Sequence, residues 1–103
     1  MMLRVGKYLF EWSKGGSIEH TRGVVALVAR HTDSGEAEVL EARATDNMYQ
    51  TGQGLVEQAR RHNDRPGVVV GFLTTAAERS EAIGLADGLR RRHWIYPVET
   101  DRW

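Results

Sequence analysis

The chain has 103 residues, a length that suits one domain with its own core, and its hydrophobic share of 41% and charged share of 27% exclude a disordered chain. Fourteen basic residues balance fourteen acidic ones, so no global field draws nucleic acid or an anionic membrane, and such contact would need a local patch. With no cysteine, disulfides, thiolate nucleophiles and cysteine-held metals are excluded.

Residues 1–103 read as a single α+β domain. The N-terminus lacks a basic stretch followed by a long apolar one, so no signal peptide is expected. No apolar run reaches the roughly 18 residues that a membrane span needs. The expected compartment is the cytoplasm.

From Leu3 to Trp12 the residues alternate as in one strand, with Leu3, Val5 and Leu9 on one side and Tyr8, Phe10 and Trp12 on the other. Ser13 to Ser17, with adjacent Gly15 and Gly16, reads as a turn. Arg22 to His31 is a second strand, apolar on both faces, and Thr32-Asp33-Ser34-Gly35 a hairpin turn. The third strand, Glu36 to Ala44, carries Glu36, Glu38, Glu41 and Arg43, a polarity that suits an exposed edge.

A helix is expected within Asp46 to His62, with Met48, Leu55, Val56 and Ala59 on its apolar face and Asp46 or Thr51 as its cap. Val68 to Leu73 is apolar and β-branched, which predicts a central strand. Thr75-Ala76-Ala77-Glu78 has the pattern of a capping box. The helix it opens runs to about Arg92 and is expected to bury Ala82, Ile83, Ala86 and Leu89, with Arg90, Arg91 and Arg92 at the negative end of its dipole. His93 to Glu99 forms a last short strand, where Pro97 favours a sheet edge.

The resulting βββαβαβ order predicts a mixed five-stranded sheet with two helices, in two layers or partly three. It resembles the ribonuclease-H-like core. That resemblance implies interior first, second and fourth strands, and edges at the third and last. It covers the order of elements and no motif. The family places acids on the first strand, in the first helix and at the tip of the fourth strand, to hold two cations about 4 Å apart. Glu11 and Glu57 stand near the first two places, but Thr74-Thr75 occupies the third, so a nuclease of this type is not expected.

Other chemistry has little support. His20, His31, His62 and His93 form no zinc-spaced pair, so no metal is expected. Thr51-Gly52-Gln53-Gly54 lacks the Gly-Lys-Ser/Thr ending of a phosphate loop, and no other cofactor motif is present. An enzyme would have to draw on scattered polar residues such as Glu11, His20 and Asp46.

Two surfaces remain. Tyr8, Phe10 and Trp12 with Trp94, Tyr96 and Trp103 form an aromatic set. If both helices lie on one side of the sheet, the other face is open, and these residues become an interface or ligand site. The leading expectation is therefore a binding or interaction module that self-associates as a dimer through this face. Its other partner would be a protein or a small apolar ligand. The second surface is a cluster of Arg60, Arg61, Arg90, Arg91, Arg92 and Trp94, which pairs charge for phosphates with a ring for stacking and suits single-stranded nucleic acid.

Overall fold

In the computed structural model the described residues are 2–62, 65–92 and 94–95. They form an α+β fold of six strands and two helices. The strands are β1 (Met2–Val5), β2 (Tyr8–Ser13), β3 (Gly23–His31), β4 (Ala37–Thr45), β5 (Val68–Ala76) and β6 (Trp94–Ile95); the helices are α1 (Met48–His62) and α2 (Arg79–Arg92). The sheet order is β1-β2-β5-β3-β4-β6, and every pairing is antiparallel.

This corrects the expected mixed five-stranded sheet in three places. The first run is a hairpin, not one strand. Gly6 has φ of 58°, a left-handed conformation that glycine adopts without strain, and with Lys7 it closes Val5 onto Tyr8. The fold-back sets Leu3 opposite Phe10 and brings both into one core cluster, where alternation along a single strand would separate them. Second, β5 enters between β2 and β3, pairing with both, so the first two runs are not neighbours and the ribonuclease-H order is not followed. Third, β4 is the last long strand but not the edge along its whole length. β6 pairs only with Ala37 and Glu38, which leaves β4 as the open border from Val39 to Thr45 among the described residues.

The helices cover opposite faces. Met48 and Leu55 of α1 pack with Val25, Leu27, Ala29, Val70 and Phe72. Ala82, Ala86 and Leu89 of α2 pack with Val24, Ala26, Val28, Phe10 and Leu73. Alternate residues of β3 thus feed two cores, and Val24 to Ala29 are all fully buried. Leu3 from one border and Ile95 from the other both join the α2 cluster, so the sheet curls around that helix. Burying Phe10 or Phe72, at 0% and 2% exposure, contributes about 1.5–3 kcal/mol each.

The helix starts differ from expectation. Asn47 caps α1, its Oδ1 accepting from the Gln50 amide at 3.1 Å, while Asp46 pairs with Arg22 at 3.0 Å. Thr75 does not cap α2, because it lies within β5 opposite Val24. The stripe Ala82, Ala86 and Leu89 is already complete, and Ile83 turns outward at 56% exposure. The final strand is seen as Trp94–Ile95, and its expected continuation lies outside the described residues.

Candidate functional site

The strand directions place the two helix ends. β4 and β5 both run antiparallel to β3 and so point the same way. α1 crosses from the end of β4 to the start of β5, and α2 returns from the end of β5 to Trp94, opposite Glu38 near the start of β4. Both helix C-termini therefore reach the same end of the sheet, on opposite faces. Arg60 and Arg61 belong to one, Arg90, Arg91 and Arg92 to the other.

These arginines are not equivalent. Arg60 lies 3.7 Å from Glu57, and Arg91 meets Asp87 at 2.6 Å. Arg90 donates from Nε to the carbonyl of Ala42 at 2.8 Å and approaches Asp87 at 3.9 Å. Arg61 and Arg92 have no ion pair among the described residues.

The aromatic set is divided. Tyr8, Phe10 and Trp12 face α2 from β2: Phe10 is enclosed, while Tyr8 and Trp12 are half-buried. The Trp12 ring lies over Gly71, where a Cβ would stand 2.7 Å from its Cη2. Trp94 sits across the sheet, opposite Glu38 and next in register to Ala29 of the α1 core, with its ring 5.0 Å from His31. Tyr96 and Trp103 lie outside the described residues. With a helix on each face, Tyr8, Phe10, Trp12 and Trp94 do not share one open face among the described residues.

Tyr8 instead borders a groove of about 430 Å³ between the β1–β2 turn and α2, floored by Val5, Leu85 and Leu89 and widened by Gly84 and Gly88. At its mouth the Tyr8 hydroxyl donates to the Glu81 carboxylate, and Lys7 stands 3.4 Å from the same carboxylate. The bond to Glu81 pushes the Tyr8 hydroxyl up to about 12, with burial and the Glu81 and Glu78 charges adding to it. The same bond, aided by Lys7, holds the Glu81 carboxyl below its usual range.

The groups needed for catalysis stay apart. Glu11 lines a small polar pocket with Ser17, Glu19 and Thr75, which no histidine lines. His20 stacks on Tyr49 at 4.2 Å, and Asp46 is held by Arg22. Thr51 to Gly54 lie inside α1, where backbone amides are engaged by the helix and cannot cradle a phosphate. Among the described residues no three His, Asp or Glu side chains gather to hold a metal, and no helix is long and apolar enough to cross a membrane.

Sequence reasoning read the third strand, β4, as an edge but missed the surface that this border forms with Ile83, which it expected to be buried. The outer edge of β4 is unpaired from Val39 to Thr45 among the described residues, and Ile83 and Ala44 stand beside it in one shallow depression with Arg43, Asp87 and Arg90. Glu41 and Arg43 pair there at 3.1 Å. The polarity of the third strand pointed to this edge; the exposed Ile83 had no separate signal. The chain matches no family model, no curated protein and no solved structure.

Proposed function

We propose that this chain is a small interaction module that associates with itself through the open border of β4. The observation that supports the reading is that, among the described residues, the strand edge Val39 to Thr45 is unpaired and lies beside Ile83, one of two exposed large hydrophobic side chains. An edge strand offers backbone groups to another strand, and the aliphatic side chain beside it gains by being covered. Light scattering on a sizing column tests this. The reading expects a dimer free of nucleic acid and a shift to monomer in Ile83→Asp. A monomer at every concentration removes the reading.

A second reading, nucleic-acid binding, is favoured by the shared end of the two helices, where Arg61, Arg92 and the exposed Trp94 are the residues best able to act. It predicts excess absorbance at 260 nm or an affinity that falls steeply with salt. A small apolar ligand, if one is bound, belongs in the groove beside Tyr8.

A further inference from the structure

We infer that the partner at this border is a second copy of the chain, bound so that the two β4 strands run antiparallel about a two-fold axis at Ala42. The inference rests on the self-association proposed above and specifies its register.

The backbone geometry selects the centre. The carbonyl of Ala42 accepts from Arg90 Nε at 2.8 Å, so it points away from β3 and toward the open side. In an antiparallel ladder, a residue whose N–H and C=O point at the new strand forms the hydrogen-bonded pair. Ala42 opposite Ala42 satisfies that rule.

Charge then selects the same register. With Ala42 on the axis, Glu41 of one copy faces Arg43 of the other, and the symmetry makes this pair twice. Moving the axis to Arg43 would set arginine against arginine, and moving it to Glu41 would set glutamate against glutamate. Both side chains are partly exposed, Glu41 at 30% and Arg43 at 49%, and they would exchange the 3.1 Å pair they make within one copy for the two pairs across the axis. The chain carries no net charge, so no general repulsion opposes two copies.

The helices fit the same arrangement. α2 packs on β4 and β3, so the two-fold places its copy beside it on the same face of the joined sheet. Ile83 lies on the border side of α2, where that neighbour would cover it.

Two features limit the contact. The ladder between β3 and β4 skips Leu40, and this bulge shortens the regular stretch that a second strand can use. Arg90 also occupies the Ala42 acceptor in the single chain and must release it. Asp87, 3.9 Å away, can retain the guanidinium when it does. Arg90 therefore acts as a latch on the edge, and association is expected to be reversible.

Sedimentation of the intact chain over a dilution series tests the register, using Glu41→Arg, Arg43→Glu, the double exchange and Arg90→Ala. Each single exchange should weaken the dimer about tenfold, because two attractive pairs become two repulsive ones, and the double exchange should restore it. Arg90→Ala should tighten the dimer, since it frees the acceptor. Thermal unfolding of each variant confirms that the fold is kept. A dimer that persists unchanged through both single exchanges overturns the register while leaving self-association standing. No dimer at about 1 mM in either the natural chain or Arg90→Ala overturns both.

Discussion

Arg90 holds the carbonyl of Ala42, 48 residues away in sequence, through a 2.8 Å hydrogen bond from Nε. The bond joins the last turn of α2 to the open border of the sheet and gives a terminal arginine a role beyond the helix dipole. Because Arg90 is half exposed and has Asp87 as another partner, Arg90→Ala should cost the single chain no more than about 1 kcal/mol in urea unfolding. A loss of several kcal/mol would make Arg90 a structural residue.

Phe72 lies on the central strand, paired with Leu27 on one side and Ser13 on the other, and is 2% exposed. Phe72→Ala should destabilise the protein by about 3–5 kcal/mol, read from the urea midpoint. A change under about 1 kcal/mol would mean the α1 core collapses onto the vacancy or that β5 is not central.

The two helix starts give opposite expectations for similar changes. Asn47→Ala removes the acceptor for the Gln50 amide and should cost about 0.5–2 kcal/mol. Thr75→Ala touches no cap and should cost less than about 0.5 kcal/mol, since Thr75 is a partly exposed strand residue. Reversed magnitudes would shift the start of α2 back to Thr75.

Tyr8 and Glu81 give the pH dependence. The Tyr8 pKa is raised from 10.0 to about 12, so its contribution is fully present below pH 10 and is lost as pH climbs toward 12. Glu81 is shifted the other way, so its contribution is present above the ordinary carboxylate range and is lost as pH falls through its lowered value. Absorbance titration should show a tyrosine step displaced toward pH 12, and Tyr8→Phe should remove it. A titration curve that Tyr8→Phe leaves unchanged above pH 10 would disprove the contact.

The groove makes its own prediction. A Cβ at Gly84 or Gly88 meets nothing within 4 Å, so Gly88→Ala should stabilise α2 by about 0.5–1 kcal/mol. Gly88→Leu should fill the groove and abolish binding of an apolar fluorescent dye, while Ile83→Asp leaves that binding intact. Unchanged dye binding in Gly88→Leu would show that the groove is not where apolar molecules bind.

Local chemistry made much of this architecture legible in the sequence. The β-branched runs of β3 and β5, the Thr32 to Gly35 turn and the apolar stripes of both helices depend on neighbours within a few residues. The polar third strand reads as an edge, and beyond Glu38 it is one among the described residues. The cluster of arginines at each helix end follows from the dipole, as read.

What the sequence alone determined was therefore the kind of elements, their approximate limits and an α+β class, because propensity and periodicity act along the chain. Tertiary structure decided the rest. Gly6-Lys7 can continue a strand or reverse it, and packing Leu3 against Phe10 selects reversal. The insertion of β5 between β2 and β3, and the placing of α1 and α2 on opposite faces, depend on which long-range burial is most complete. The same physics reassigns the surface residues: Phe10 is enclosed because α2 covers its face, and Ile83 is exposed because Ala82, Ala86 and Leu89 already fill the contact. Arg90 and Ala42 meet only when a helix end arrives over a strand edge, a relation between distant segments that no local pattern encodes.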